Sequence, residues 1–507
     1  MARPLRVVFL AHAFPRTADD VTGGFLLRLA TALRDEGVQV AAVAPAAEGL
    51  AAAERLDGIP VRRYRYATRR AQRLAYAGEM HRRAASPGGA LALAGLLGAG
   101  ALALRRVGRG ADLVHAHWWF PAGVQALAAR TGLPLVTTLH GTDVRLARSR
   151  PAARAACARV LRASARVTAV SGWLAGQASG FAPGLARPVT VAPMPVDDLA
   201  LHPGPGDRPR DELLFVGRLD RQKGAEVALA ALAALAGPGA ELPLRVVGSG
   251  PEEPRLRRLA GELGVAGRVR WDGQLPQAEL AGRYRRAAVL VVPGRDEGLG
   301  LVAAEGQLSG APVVAAASGG LLDVVADGRT GRTFPPDRPD ALARTLEAVL
   351  ADPSATARMA TAARDQAAAR FGAAAAARTY AAVYAEALLP AGYQQRGRPP
   401  VAVGQPVLGE LAVPADPAGH AQLAGQAAQG RLLRAGADDP QRQLGRRPGQ
   451  PGKGGQGDLG ALLPVEPADE QQLVAGLAGR AGGEGEVVHG HGRDRDRPGQ
   501  AGGEAGR

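Results

Sequence analysis

The chain has 507 residues, which exceeds one ordinary domain and favours two domains with an appendage. Its formal net charge is +15, and its single cysteine, Cys157, excludes an intramolecular disulfide and suits a reducing compartment. The apolar run VVFLA near the N-terminus is too short for the hydrophobic segment of a signal peptide, so we expect a cytoplasmic protein.

The first predicted domain, residues 1–196, alternates β-branched runs with helical stretches rich in alanine and leucine. This alternation is typical of parallel βαβ units. A helix is expected over 23–37, ended by Gly37 as a left-handed cap. Strands are predicted at 5–14, 38–45, 111–117, 132–139, 165–170 and 188–193. Six strands would make one open sheet.

Residues 90–104 are apolar for 15 positions and are flanked by arginine pairs. A bilayer span needs roughly 20 residues, so we predict a helix that is buried or lies at an interface. From Arg55 to Arg109 there are 12 Lys+Arg against Asp57 and Glu79. This excess either holds the domain on an anionic membrane surface, near a lipid-linked acceptor at the inner face of the cell membrane, or is a solvated basic face.

Residues 197–211 are rich in proline and aspartate and are predicted to be a linker. The strand and helix pattern restarts in the second domain, residues 212–370. Strands are predicted at 212–218, 242–248, 268–273, 288–294 and 311–316. Because ligands of such folds bind beyond the carboxyl ends of the strands, the loops at those ends are the candidate site.

Residues 391–507 differ sharply in composition from the rest of the chain. They contain 26 Gly in 117 residues and one aromatic residue, Tyr393. Such a segment buries too little apolar surface to offset the entropy of ordering, so we predict a disordered tail. We hypothesise that it is an out-of-frame extension of a GC-rich gene.

Two glycine and basic motifs suit an anionic ligand. Gly23 and Gly24 open the first helix, either as a simple turn or as a place where an anion approaches backbone amides. Arg218 and Lys223 in FVGRLDRQKG follow a strand and precede a helix. Two cations there suit a diphosphate, and the alternative is a solvated basic loop.

The stretch PGRDEGLGLVAAEGQLSG sets Glu297 in a glycine-rich loop and Glu305 in the helix that follows. Carboxylates accept bidentate hydrogen bonds from the vicinal hydroxyls of ribose or hexose. The pair therefore predicts a grip on a polyhydroxylated ligand. The alternative is a surface carboxylate and a helix carboxylate with no joint role.

Histidines cluster at two predicted strand ends. His115 and His117 in HAHWWFPAG, with His140 and Asp143 in HGTD, suggest a metal site, but we prefer strand-end packing for the first two. His140 stands beside a glycine turn at the crevice mouth, where it is able to bind or polarise a ligand. VVGSGPEEP places Glu253 where a dinucleotide fingerprint needs its third glycine, so we reject an NAD site.

Over residues 5–390 these motifs resemble, in family order, the family 4 glycosyltransferases, which are retaining enzymes. The resemblance implies an α/β protein of the GT-B fold, in which two Rossmann-like doubly wound domains face a cleft. It implies catalytic roles for His140, Arg218, Lys223 and Glu297. The donor-binding residues that it implies are Gly23, Gly24, Arg218, Lys223, Glu297, Gly298, Leu299, Gly300, Leu301 and Glu305.

Each implied role is specific. Arg218 and Lys223 would bind the donor diphosphate, Glu297 would lie near the transferred sugar and Glu305 on the nucleotide ribose. The amide of Gly24 would reach the distal phosphate. A final helix over 371–390 would cross back to the first domain.

The resemblance also implies the partners: a UDP- or GDP-linked hexose donor and a glycan or lipid-linked acceptor, without a metal, a cofactor or nucleic acid. Leu299, Met194-Pro195 and Asp323 depart from the usual motifs and leave donor preference open. Two alternatives remain: a catalytically silent sugar-nucleotide or lipid-binding module, and a metal hydrolase built on the histidines.

Overall fold

The computed structural model describes residues 3–20, 22–68, 72, 74–76, 80–196 and 210–389. The predicted linker, apart from its last two residues, and the predicted tail over 391–507 lie outside the described residues. Both predicted sheets lie within them.

The first domain is a mainly parallel sheet with helices on both faces. Its strands are β1 Arg6–Leu10, β2 Gln39–Pro45, β3 Ala53–Leu56, β4 Ile59–Tyr64, β5 Leu113–His117, β6 Leu135–Leu139, β7 Arg166–Ala169 and β8 Thr190–Val191. Its helices are α1 Gly24–Asp35, α2 Met80–Arg83, α3 Pro87–Val107, α4 Val124–Ala129, α5 Thr142–Ser149, α6 Pro151–Ala163 and α7 Gly172–Phe181. The strand order is β3-β4-β2-β1-β5-β6-β7-β8.

The prediction of six strands was wrong, because the first sheet has eight. The additional strands β3 and β4 form an antiparallel hairpin at one edge. Asp57 and Gly58 turn this hairpin with φ of 48° and 81°, the left-handed conformations that tight hairpin turns require. Gly37, by contrast, ends α1 with φ of 82°, as the sequence predicted.

The second domain is a fully parallel sheet of six strands. These are β9 Glu212–Val216, β10 Leu244–Val247, β11 Val269–Gly273, β12 Ala287–Val292, β13 Val313–Ala316 and β14 Arg332–Phe334, in the order β11-β10-β9-β12-β13-β14. The helices are α8 Ala225–Ala234, α9 Glu253–Glu262, α10 Gln277–Arg286, α11 Leu301–Leu308, α12 Leu321–Val324, α13 Pro339–Ala351 and α14 Pro353–Phe371. The short strand β14 was not predicted.

The last helix, α15 Ala373–Ala387, packs against the first domain. Its tyrosines Tyr380 and Tyr384 are fully buried. The Tyr380 hydroxyl donates to the carbonyl oxygen of Ala192 at 2.9 Å, and the Tyr384 hydroxyl lies 2.8 Å from Nδ1 of His115. The chain therefore returns to the first domain after completing the second.

The predicted α/β architecture of two doubly wound domains is confirmed. In each sheet the strand order reverses beside the first strand, between β1 and β5 and between β9 and β12. Ligands of doubly wound sheets bind at such switch points, beyond the carboxyl ends of the strands. Gly23 follows β1, Arg218 and Lys223 follow β9, and Glu297 follows β12, so these predicted site residues lie at the two points, whereas His140 follows the neighbouring strand β6.

Candidate active site

The loop between β12 and α11 carries Glu297 and is held from behind by a second glycine loop. The Gly320 N–H donates to the Glu297 carbonyl oxygen at 2.8 Å. A Cβ atom at Gly319 would lie 2.7 Å from that oxygen. Glycine is therefore needed behind the loop, and the Glu297 side chain is only 9% exposed.

Lys223 contacts Glu297 directly. Its Nζ lies 2.7 Å from Oε1 of Glu297, joining the β9–α8 loop to the β12–α11 loop. The Asp220 carboxylate accepts from the backbone N–H groups of Gln222 and Lys223 at 3.0 and 3.1 Å. These bonds fix the turn from which Lys223 projects, so an ammonium and a carboxylate meet at the carboxyl edge of the sheet.

Arg218 has a different partner. Its Nε donates to Oδ2 of Asp220 at 2.7 Å, and half of its side chain is exposed. The structure thus brings Lys223, but not Arg218, onto Glu297. The guanidinium remains on the same loop and is exposed enough to reach an anion bound there.

Glu305 lies on α11 and pairs with a residue that the sequence analysis missed. The Tyr284 hydroxyl, from α10, donates to Oε2 of Glu305 at 2.9 Å. Burial and the Glu305 charge raise the pKa of Tyr284 well above its usual value, so the hydroxyl keeps its proton and remains a donor. Tyr284 follows Leu280 and Ala281 at helical spacing, a pattern that indicates only a core residue.

The first domain meets the Glu297 loop through His140 and Gly141. A Cβ atom at Gly298 would lie 2.2 Å from the His140 carbonyl oxygen and 3.4 Å from Cα of Gly141. Gly298 therefore allows the two domains to touch backbone to backbone. The predicted crevice histidine and the predicted glutamate loop face each other across this contact.

The helix-opening glycines are close to the same wall. Phe25, next to Gly24, packs with its ring centroid 5.5 Å from that of His140. Gly23 has φ of 77°, and a Cβ atom there would lie 1.7 Å from the Ala13 carbonyl oxygen, so position 23 requires glycine. The α1 N-terminus thus lies beside the crevice histidine.

Two further residues of this wall escaped the sequence analysis. The Trp118 ring is tilted against that of His140, with 4.3 Å between ring centroids, and meets the His12 ring edge to face, with 4.5 Å between centroids. Trp118 adopts φ of 72°, an uncommon conformation for a bulky residue. The sequence signal available was the run of aromatic residues in HAHWWFP, but we interpreted only His115 and His117 of this stretch, as strand-end packing.

Asp143 holds the HGTD turn rather than a ligand. Its carboxylate accepts from four backbone N–H groups, those of Trp119, His140, Gly141 and Val144, at 2.9–3.2 Å. Burial raises its pKa to about 6, and the four hydrogen bonds oppose that shift. Asp143 is a positioning residue, since it fixes the backbone that touches Gly298.

The hydrogen bonds around His115 argue against a metal hydrolase. Nδ1 of His115 bonds the Tyr384 hydroxyl at 2.8 Å and Nε2 bonds Oγ1 of Thr138 at 2.6 Å. The Asp143 carboxylate accepts from four backbone N–H groups, so both His115 and Asp143 are already held by protein partners. Within the described residues no group of three or more His, Cys, Asp or Glu side chains is arranged to hold a metal.

The buried imidazoles are neutral. Burial lowers the pKa of His12 to about 4 and holds the pKa of His115, His117 and His140 well below the usual value, with neighbouring imidazoles adding to the effect in the last three. Nδ1 of His117 lies 3.3 Å from Nε2 of His140. A neutral His140 is suited to hydrogen bonding at the crevice.

Polar contacts tie the two domains together around the site. Arg145 donates to Gln222 at 2.6 Å, and Arg148 to Asp296 at 3.0 Å. Asp323, which stands at a position where the sequence departs from the usual motif, accepts from the Gly172 N–H at 2.8 Å and so caps α7 of the first domain. The candidate cleft is therefore closed around its loops.

Gly298→Ala is expected to open the cleft, because a methyl group has no room against the His140 carbonyl oxygen. Small-angle X-ray scattering should then show a larger radius of gyration than that of the wild-type protein. Gly261→Ala in α9 is the matched control, because nothing lies within 4 Å of its added Cβ. Scattering identical to wild type in the Gly298 variant would contradict this close contact.

Comparison with known proteins agrees with the fold and the motifs. Residues 205–366 match the model of "Glycosyl transferases group 1", and residues 23–198 match that of "Glycosyltransferase Family 4". The chain resembles the sucrose-phosphate synthase of Thermosynechococcus elongatus, with a TM-score of 0.62 at 24% identity, covering 75% of this chain and 98% of that one. It also resembles Anabaena HepE, solved with UDP and glucose, with a TM-score of 0.59 at 20% identity over 75% and 99% of the two chains.

Sequence relatives point the same way. The D-inositol 3-phosphate glycosyltransferase of Frankia alni is 36% identical over 311 residues, which cover 55% of this chain and 75% of the relative. The Streptomyces avermitilis protein of the same name is 37% identical over 287 residues, and the glycogen synthase of Mycobacterium tuberculosis is 34% identical over 274. Both of these matches cover 50% of this chain. They span 60% of the Streptomyces avermitilis protein and 64% of the glycogen synthase.

Two Rossmann-like domains closed over facing glycine loops define a protein of the GT-B glycosyltransferase fold. The chain belongs to the family 4 glycosyltransferases.

Proposed function

We propose that this protein transfers a hexose from a nucleoside-diphosphate sugar to a glycan or lipid-linked acceptor, with retention of the anomeric configuration. One observation carries the proposal. Lys223, Glu297, Gly298 and the His140–Gly141 turn converge at one point between the domains. The basic group suits the diphosphate of a donor, and the carboxylate suits the hydroxyls of its sugar. The glycine backbone lets the donor approach closely.

In this proposal the charge of the leaving diphosphate is neutralised by side chains and amides. Lys223, Arg218 and the α1 N-terminus near Gly24 would face the phosphates, so that stabilisation of the leaving group needs no metal. The bond from the anomeric carbon to the phosphate oxygen breaks as the acceptor oxygen bonds on the same face. The acceptor proton passes to the leaving phosphate oxygen.

Glu297 and Glu305 would hold different parts of the donor. Glu297 is paired with Lys223 and lies next to Gly298, and this supports a position near the transferred sugar. Glu305, oriented by Tyr284, would accept from the ribose hydroxyls. His140 would donate to or accept from a sugar hydroxyl. The backbone of the loop from Gly298 to Leu301, which includes the buried Leu299 and the left-handed Gly300, would lie against the donor.

A thermal-shift panel tests this proposal. UDP-, GDP- and ADP-sugars are added to the full chain, with UDP-sugars first because HepE was solved with UDP. A donor at about 100 times its Kd stabilises the folded protein by about 2.7 kcal/mol and raises Tm. Glu305→Ala should abolish the shift, and a chelator should leave both the shift and the transfer rate unchanged.

The outcomes separate the hypotheses. A shift accompanied by transfer, or by slow donor hydrolysis, supports an enzyme. A shift without either in any acceptor mixture supports a silent binding module. No shift with any donor would overturn the proposal, and loss of transfer on chelation would overturn its metal-free mechanism.

A further inference from the structure

Helix α3 presents an apolar stripe that the described part of its own domain leaves uncovered. Leu91 is 76% exposed and Leu102 is 49% exposed. Ala94 and Gly98 lie between them on the same face, at three- and four-residue spacing, and are exposed as well. Surface helices normally turn charged or polar side chains toward water, so an outer face without any over these turns needs a partner.

The opposite face of α3 is locked onto the domain. A Cβ atom at Gly95 would lie 2.1 Å from the Tyr66 carbonyl oxygen, and one at Gly100 would lie 2.3 Å from Nε2 of Gln125. That Nε2 also donates to the Leu96 carbonyl oxygen at 2.8 Å. These close approaches exist only while α3 lies on the sheet.

The length of α3 permits a membrane span, but its packing does not favour one. The segment Pro87–Gly110 is, within the described residues, one helix long and apolar enough to cross a bilayer, and a third of its apolar window is buried in the protein. Crossing would strip away the contacts of Gly95, Gly100 and Leu96. A helix buried on one face and apolar on the other is suited to lie along a membrane surface.

The charge around α3 indicates which kind of membrane surface the helix would bind. Residues 80–110 contain five arginines and no aspartate or glutamate. Arg105, Arg106 and Arg109 are exposed at the C-terminal end of the helix. Arginines beside an apolar face bind anionic headgroups, whereas a second copy of this chain would bring the same positive charge and be repelled.

We propose that α3 seats the first domain on an anionic lipid surface. Leu91 and Leu102 insert at the boundary between headgroups and acyl chains, and Arg105, Arg106 and Arg109 contact lipid phosphates. Membrane association in this form is peripheral, since α3 stays packed on its sheet. It is independent of sugar transfer.

The topology links this membrane contact to the acceptor of the reaction, an inference that rests on the proposed function. α3 precedes β5 in a sheet where β4 and β5 both run parallel to their neighbours β2 and β1, so its N-terminal end lies at the carboxyl edge that carries the candidate active site. Leu91 is at that end. A lipid-linked acceptor is thus the substrate class that this placement serves.

Vesicle sedimentation of the full chain, without donor, tests the proposed membrane contact of α3. The wild-type protein is expected to pellet with phosphatidylcholine vesicles that contain phosphatidylglycerol, less with phosphatidylcholine alone, and less again at high salt. The double variant Leu91→Ser/Leu102→Ser should bind the anionic vesicles roughly tenfold more weakly. Arg105→Gln/Arg106→Gln should lose the preference for anionic lipid.

Two control variants test whether the position of the substituted residues matters, rather than only the loss of leucine or arginine. Leu388→Ser removes another exposed leucine, 42% exposed, at the end of α15, the helix that packs against the first domain. Arg257→Gln/Arg258→Gln removes an exposed arginine pair from α9. Both should bind like the wild-type protein. Equal pelleting of all variants, or no pelleting of the wild-type protein, would overturn the proposed membrane contact. It would also be overturned if sedimentation velocity showed a dimer that is lost only in the Leu91/Leu102 variant.

Discussion

Lys223→Ala is expected to lower kcat/KM for sugar transfer by about 10²–10³-fold. Removing one preorganised donor from the site where charge develops costs about this much in other enzymes. Lys223 is the cation in contact with Glu297, at 2.7 Å, and its loss also leaves that largely buried carboxylate without its counter-charge. Initial rates with the donor found in the thermal-shift panel measure the effect.

Arg221→Ala is the matched control for Lys223→Ala. Arg221 lies two residues earlier in the same loop, has a side chain 79% exposed and pairs with Glu252 at 3.6 Å. The substitution removes one positive charge from the same loop, as Lys223→Ala does. An exposed ion pair of this kind contributes about 0–1 kcal/mol to stability. We expect a change in kcat/KM of about twofold or less. Equal losses in the two variants would mean that net charge, rather than the contact with Glu297, governs the rate.

The fold was accessible from the sequence because its signals are local. Alternation of β-branched runs with alanine-rich helices predicted every parallel strand from β5 to β13, and Gly37 marked the end of α1 through its own backbone conformation. The alternation of strand and helix is written within each segment of some ten to twenty residues. No knowledge of distant contacts is needed to recognise it.

The strands that we missed depend on partners outside themselves. β3 and β4 contain Glu54, Arg62 and Arg63, which weaken the apolar pattern. The buried Arg63 pairs with Glu54 across the hairpin and also donates to the Tyr76 hydroxyl and the Pro15 carbonyl oxygen. β14 has three residues and exists through its pairing with β13. In such segments tertiary context overrides propensity. The Asp57-Gly58 turn was the one local signal available.

The sequence predicts which residues form the candidate site but not which of them contact each other. Motif spacing identified Arg218 and Lys223 together, yet the structure gives them separate carboxylates, Asp220 and Glu297. The partner of Glu305, Tyr284, lies on another helix and carries no motif. Side-chain partners are chosen by how loops from different strands meet, which a linear pattern does not encode.

The unfolding free energy is expected to fall steeply as the pH drops from about 6.5 to 5. His12, His115, His117 and His140 have folded-state pKa values below their ordinary value, mainly through burial. In the unfolded chain each regains a pKa near 6.5, so below that pH the unfolded state binds more protons and stability is lost. Asp143, whose pKa is raised to about 6, opposes this by up to about one proton. The net slope near pH 5.5 is about 4 kcal/mol per pH unit.

Urea unfolding from pH 7.5 to 5, followed by tryptophan fluorescence, measures this slope, because the Trp118 ring packs against both His12 and His140. His117→Gln removes one titrating imidazole and should reduce the slope by about one proton's worth, near 1.4 kcal/mol per pH unit. The same variant at pH 7.5, where histidine is largely neutral in both states, controls for packing losses, which shift stability without changing its slope. A profile that stays flat down to pH 5 would require the folded cluster to take up protons as readily as the unfolded chain. That result would contradict the burial of the cluster, in which both ring nitrogens of His115 already bond Tyr384 and Thr138.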